Sequence, residues 1–326
     1  MRKGLKTLSF LVILFLITSI FSFFTYPETE KSADTKTGTD FQKDFNENYG
    51  IYSISTPQDL QFAGEEFPLL DEQVREALDR ELLINTYWQS QTLLFLKRAN
   101  RYFPIIEPIL NQYGIPEDFK YLPIIESGFM NVVSPAGAVG FWQLMEGTAT
   151  DYGLEVNHAV DERYNLEKAS HAACQYLVEA HQKLGSWSLA AAAYNMGISG
   201  VQRQMERQRA DEFFDLTLNE ETGRYLYRLV AIKEIISNPA KYGFHLNDDH
   251  AYMPIATKEI AIDSALTHVD NFNRVFGLSY RQLKFHNPWL RLEYLPNSSG
   301  KVYKIKVPIS SFEKANTQTE QKDTPK

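Results

Sequence analysis

The chain holds one cysteine in 326 residues. No internal disulfide can form, so burial and hydrogen bonding must hold the fold. Cys174 falls inside a helical pattern and reads as a buried, inert thiol. Positive charge is in deficit: 33 Lys and Arg face 41 Asp and Glu, a formal net charge of −8. Nucleic-acid binding needs a basic footprint, so no nucleic-acid partner is expected. The deficit does not bear on a neutral glycan, which hydrogen bonds and stacking hold. Metal-ligand spacing is missing as well. His245, Asp248, Asp249 and His250 form a polar cluster without helical His spacing or cysteines, and read as a loop. No metal and no cofactor are expected.

What is present is ample apolar content, 44%, enough for a core, and 13% aromatics, which suits a saccharide cleft as well as a core. The N-terminus carries Arg2, Lys3 and Lys6 before an uncharged run from 7 to 26 rich in Leu, Ile and Phe. It reads as a targeting segment, with the body exported and the basic flank inside. Ser19 and Ser22 give a poor cleavage site and no cysteine follows for lipidation. A retained membrane anchor is preferred, and a cleaved signal stays open. Residues 27–68 are polar and acidic and read as an irregular tether.

Helical spacing begins after Asp71, a candidate cap. One helix carries Trp88, Leu93 and Leu96. Another carries Phe103, Ile106, Leu110 and Tyr113, and Gly114 stops it. Pro116 opens a short helix toward Glu126, which Pro123 loosens. Helices follow over 166–184, over the very apolar 187–196, and over 220–236. Beyond residue 250 the pattern becomes strand (258–262), a helix opened by Asp263 or Ser264, a helix from SYRQLKFHN, and a strand (301–308). The expected fold class is therefore mostly α, with a small α+β module of βααβ order. The tail, 311–326, reads as disordered.

The stretch from 122 to 145, LPIIESGFMNVVSPAGAVGFWQLM, is the most informative. Glu126 closes an apolar run. Apolar surroundings disfavour its ionised form and raise its pKa toward what a general acid needs. The competing reading is a surface Glu at a helix end. Ser127 follows, and a turn with Gly137 and Gly140 delivers Gln143. AAAYNMG at 191–197 adds Tyr194 and Asn195. One acid among neutral hydrogen-bonding groups suits work on a sugar polymer.

The ES pair at 126–127, GFWQ at 140–143, AAYN at 192–195 and ETGRYLYRL at 221–229 stand in an order that resembles the lytic murein transglycosylases. These belong to the goose-type lysozyme-like superfamily, and the soluble lytic transglycosylase catalytic domain is part of it. The chain is most similar to the membrane-bound D type, over roughly residues 85 to 240. The C-terminal βααβ pattern resembles, more weakly, a divergent LysM module. The resemblance implies a lysozyme-like catalytic domain over 69–245 and a LysM-like module over 246–310, with peptidoglycan glycan strands as partner. It implies a bacterial envelope location. Protein partners are unknown.

The implied reaction cleaves the β-1,4 bond between N-acetylmuramic acid and N-acetylglucosamine without water and leaves a 1,6-anhydro end. Glu126 serves as acid and then base, and the 2-acetamido group replaces a second carboxylate. Asp151, Glu155, Asp161 and Glu162 were the candidates for such a carboxylate, with an ion pair or cap favoured at Asp161 and Glu162. Substrate-binding roles are implied for Ser127, Gln143, Tyr194, Asn195 and Tyr225. A local turn bond competes at Ser127, a surface position at Gln143, and core structure at Tyr194 and Asn195. Phe141, Trp142 and Met145 could floor the cleft or be core of a helix opening at Gly140. Trp289 and Tyr294 could stack on glycan or brace the body. Glu146 stands where the family usually has proline. A hydrolytic muramidase and a non-catalytic glycan-binding scaffold remain the alternatives.

Overall fold

The computed structural model describes residues 38–311. The expected anchor or signal at 1–26 lies outside them, as do residues 27–37 of the expected tether and all of the tail after Ser311. The chain divides into an N-terminal unit ending at Ser53 and a second from Ile54 onward. The described part of the first, residues 38–53, holds helix α1, Gly38–Asn48, with Phe45 and Tyr49 stacked at 5.2 Å.

The second unit begins earlier than the expected tether allows. A short hairpin, β1 (Gln61–Phe62) and β2 (Glu65–Glu66), follows residue 54. Phe62 is fully buried and packs edge-on to Phe119 at 5.2 Å. Leu60, Phe62 and Phe67 are the apolar residues of a polar stretch, and they bind it into the main core. Residues 54–68 are thus part of the folded body, and α1 interrupts the irregular stretch predicted before them.

Two long helices follow. Asp71 caps α2 (Glu72–Tyr87), accepting from the amides of Gln73 and Val74. The two helices predicted between 88 and 113 are one, α3 (Gln89–Gln112), with Pro104 and Pro108 inside it. A proline removes the bond to the carbonyl four residues back. Both prolines are exposed, as is Asn100, so the freed carbonyls of Asn100 and Pro104 face solvent and the helix continues. Glu81, buried on α2, is bound by Arg224 of the later helix α9 at 2.8 Å, which ties the first helix to the last of the body.

The central helices match their predicted bounds. Asn165 caps α6 (Leu166–Leu184), and Ser186 caps α7 (Trp187–Met196). Residues 189–193 of α7 are fully buried, as its apolar composition requires. α8 (Ile198–Gln208) was not predicted, although Ile198, Val201 and Met205 recur at three- and four-residue spacing in its mostly polar sequence. α9 (Glu220–Ser237) packs against α2 and α7.

The C-terminal module has the predicted βααβ order. β3 (Thr257–Ile262) pairs antiparallel with β4 (Tyr303–Pro308), and between them lie α10 (Val269–Phe276) and α11 (Tyr280–His286). α10 starts later than predicted, because His268 rather than Asp263 or Ser264 caps it, accepting from the Asp270 amide. Ser279 and Gln282 form a capping box on α11. The module shares a core with the body through Val139, Ala159, Val160 and Tyr164. Backbone bonds from the Asp161 amide to the Trp289 carbonyl and from the Arg291 amide to the Ala159 carbonyl, both 2.9 Å, join the two.

Candidate active site

Glu126 is placed by a helix of six residues, α4 (Leu122–Ser127), with Pro123 in its first turn. A 3-10 turn at Glu117–Tyr121 leads into it, so the proline divides the segment as predicted rather than breaking it. Leu122 and Ile124 anchor the helix in the core. Gly128 ends it in the left-handed region, φ 61°, and Phe129 follows at φ 58°. Two such residues in succession, the second with a side chain, are strained and need support. Ser127 supplies it. Its hydroxyl donates toward the carbonyls of Phe141 (2.8 Å) and Pro123 (3.1 Å) and accepts from the Met130 amide.

The turn that should deliver Gln143 is not the start of a helix. Residues 140–143 form a tight turn, and helix α5 opens only at Glu146 (Glu146–Asp151). Gly140, at φ 82°, lies where an added Cβ would stand 2.2 Å from the Arg163 carbonyl. Gln143, at φ 47°, donates its amide to the carbonyls of Gly140 (2.7 Å) and Val132 (3.1 Å). Both hydrogens of that amide are committed to the loop, and Oε1 is the group with acceptor capacity for a ligand. Trp142 is fully buried and donates to Ser170 at 2.8 Å; Phe141 is also buried, so these two are core. Met145 is exposed, as is Glu146.

Glu126 faces a cavity of about 260 Å³, walled by Trp88, Gln91, Phe95, Val132 and Arg228. The Tyr225 hydroxyl, 99 residues away in sequence, donates to Oε1 of Glu126 in a short hydrogen bond. Arg228, one turn along α9, donates to the Ile125 carbonyl at 3.1 Å. Burial pushes the Glu126 carboxyl up to about 7, against the opposing pull of the Tyr225 hydrogen bond and the Arg228 charge; the Glu221 charge adds to the rise. Burial also raises Tyr194 and Tyr225 well above the ordinary phenol range, so both are neutral donors.

The other predicted residues stand around this pair in different ways. Tyr194 donates to the Trp142 carbonyl at 2.7 Å, and its phenol feels the charge of Glu126. Asn195 bridges to α9, donating to Glu221 at 3.0 Å and accepting from Thr222 at 2.7 Å. Gln143 is not among the cavity's lining residues; it bonds Val132, which is. Ser127 lines the cavity, with its hydroxyl turned to backbone.

None of the four proposed second carboxylates lines this cavity. Asp161 is held by the guanidinium of Arg163 at 2.8 Å, Glu162 by Lys168, and Glu155 by Lys301 and Tyr303. Asp151 is exposed at the end of α5. Trp88, Gln91 and Arg228 were missed as site residues. The exposure of Trp88, 56%, at the junction of two helices is a structural signal; in the sequence it is one apolar residue among many. Arg228 stands in the ETGRYLYRL block, three residues after Tyr225.

In the C-terminal module Trp289 is buried and stacks on Tyr303 at 5.7 Å, so it braces the module, whereas Tyr294 is 41% exposed. Among the described residues no group of three or more His, Cys, Asp or Glu could hold a metal ion, and no helix is long and apolar enough to cross a membrane.

Residues 104–216 match the transglycosylase SLT domain. Residues 258–311 match the soluble lytic transglycosylase C-terminal LysM-like domain. Over 261 residues, 77% of the chain, it is 27% identical to the membrane-bound lytic murein transglycosylase D of Escherichia coli, and equally so to that of a second strain. The match takes in 56% of those proteins, so the chain spans about half the length of the curated relatives it matches. A solved structure of an inactive mutant of lytic transglycosylase Slt from Pseudomonas aeruginosa overlaps 47% of this chain and 26% of its own, with a TM-score of 0.37 and 21% identity.

Proposed function

We infer that this chain, which carries a transglycosylase SLT domain followed by a LysM-like domain, is a lytic transglycosylase of peptidoglycan. The single observation that carries the reading is Glu126. It is a half-buried carboxyl pushed up to about 7 and bonded by a neutral tyrosine, and it is the one carboxylate among the described residues lining its cavity. At neutral pH such a group is protonated in a large fraction of molecules and is poised to give its proton.

In the reaction, Glu126 protonates the oxygen of the β-1,4 bond between N-acetylmuramic acid and N-acetylglucosamine, and that bond breaks. The substrate's 2-acetamido oxygen supports the anomeric carbon in place of a second carboxylate. Glu126, now ionised, takes the proton of the muramoyl 6-hydroxyl, whose oxygen closes a 1,6-anhydro ring. No water enters, and Glu126 ends as it began. Tethering gives the hydroxyl its advantage over solvent. Tyr225 supports the ionised intermediate by donating to it, and Arg228 by its charge. Tyr194 ties α7 to the turn at Trp142, and Asn195 ties it to α9, around the acid. The Oε1 of Gln143 is available to accept the acetamido N–H.

The relatives' name and the LysM-like domain support a place in the bacterial envelope, with the N-terminal segment at 1–26 as anchor or export signal. The test is digestion of purified sacculi by wild type and Glu126→Gln, with products weighed by mass spectrometry. Products ending in 1,6-anhydromuramic acid, absent with the variant, are expected. Products heavier by one water would make it a hydrolase. Equal products from both proteins would remove Glu126 from the reaction, and none from either would leave a binding scaffold.

A further inference from the structure

We propose that the cavity between the helical body and the C-terminal module binds the anionic peptide branch of the strand whose glycan lies at Glu126. This rests on reading the Glu126 cavity as the glycan site. The second cavity, about 640 Å³, is the larger of the two, and falls in the range of ligand pockets, roughly 300–1,000 Å³. One turn of chain separates them. Ser127 and Gly128 line the first, and Phe129, Met130 and Asn131 line the second. Three residues of chain reach at most about 10 Å. A substrate that branches beside the scissile bond can therefore place its sugar on one side of this turn and its side arm on the other.

The charge of the second cavity selects the arm. The chain as a whole is at −8, yet four cations, Arg98, Arg101, Lys284 and Lys306, line this space against one carboxylate, Glu167. Glu167 is already paired with Lys306. His286, lowered by burial and by the Lys306 charge, adds no negative group. Arg98 commits one N–H to the Gly128 carbonyl (2.8 Å) and Arg101 one to the Met253 carbonyl (2.9 Å). A guanidinium has five donors, and a carboxylate takes two of them side by side. Burial and Arg291 push the Lys284 ammonium down to about 8, which leaves it mostly charged at neutral pH, and it donates to the carbonyls of Leu290 and Leu292. A neutral glycan has no use for this field. A peptide ending in carboxylates does, and Tyr102, Phe141 and the exposed Phe285 offer apolar wall for its short side chains. The Arg98 bond to Gly128 also places a cation of this cavity on the turn that carries Glu126.

The experiment titrates the full wild-type chain with the tetrapeptide stem released from sacculi, by calorimetry. The free peptide holds no glycosidic bond, so the result does not depend on cleavage. Binding is expected, weakened about tenfold or more by Arg101→Glu and by amidation of the peptide carboxylates, and weakened less by Arg101→Lys, which keeps the charge and loses the paired donors. Added salt weakens it in the wild type, a measurement free of any folding defect. Failure of the wild type to bind, equal binding of the amidated peptide, or the same affinity for inorganic phosphate would overturn the proposal. A chain that binds the stem and leaves sacculi intact would sink the transglycosylase reading and leave this one standing.

Discussion

Glu126→Gln should raise the stability of the protein at high pH and leave it unchanged at low pH. The folded carboxyl releases its proton near 7, the ordinary one near 4.5. Between those values the unfolded chain has lost the proton while the folded chain keeps it, so stability falls as pH rises. Each pH unit of that window costs about 1.4 kcal/mol, so the wild type gives up about 3 kcal/mol by pH 8. Below 4.5 both states are protonated and the cost vanishes. The glutamine cannot ionise and keeps an oxygen for the Tyr225 hydroxyl, so it avoids the loss. Urea unfolding of both proteins from pH 4 to 9 measures this, because other titrations cancel in the difference. A difference that does not change with pH, or one in which the wild type gains on the variant as pH rises, would show Glu126 ionised in the folded state. The general-acid reasoning would then fail.

Tyr225→Phe removes the donor that favours ionised Glu126; the alkaline limb of the pH–rate profile should move above 7 while the maximal rate falls. A limb that stays in place would mean the short hydrogen bond has no part in setting the acid. Gly140→Ala forces a Cβ to 2.2 Å from the Arg163 carbonyl at φ 82°, whereas Gly153→Ala, at the same φ, meets nothing within 4 Å. The second should cost about 1–2 kcal/mol of left-handed strain and the first clearly more, read as loss of thermal stability. Trp142→Ala empties a fully buried site and removes the N–H that Ser170 accepts, while the Ser170 hydroxyl keeps its bond to the Leu166 carbonyl; a loss of about 3–5 kcal/mol is expected in urea unfolding.

Much of the helical frame was legible. Asn165 and Gly197 mark ends that local chemistry sets, since a free amide or a left-handed residue needs a partner or a glycine wherever the helix goes. The apolar run of α7 gave its burial for the same reason. Glu126 could be singled out by its apolar neighbours, and the C-terminal strand–helix–helix–strand order by alternation. Two readings failed where only the packed structure decides. Residues 54–68 looked like tether because their few apolar residues bury against Phe119 and Phe214, 57 and 147 positions beyond Phe62 and Phe67 respectively. Trp289, open in the sequence between stacking on glycan and bracing the body, packs on Tyr303 and also lines the second cavity. The two helices proposed between 88 and 113 merged because both prolines face solvent.

Sequence by itself determined where most helices begin and end, and that Glu126 closes an apolar run; the acid role proposed for it drew on the family resemblance as well. The helix ends and the apolar run are properties of neighbours along the chain, fixed by spacing and composition. Only the tertiary structure decided what surrounds the acid. The Tyr225 hydroxyl, the Arg228 charge and the Glu221 charge reach Glu126 from α9. Trp88 and Gln91 close its cavity from the end of α2 and the start of α3. The four cations meet across two folded parts. Electrostatic and hydrogen-bonding effects fall off over a few ångströms of space, not of sequence, and packing alone sets those distances.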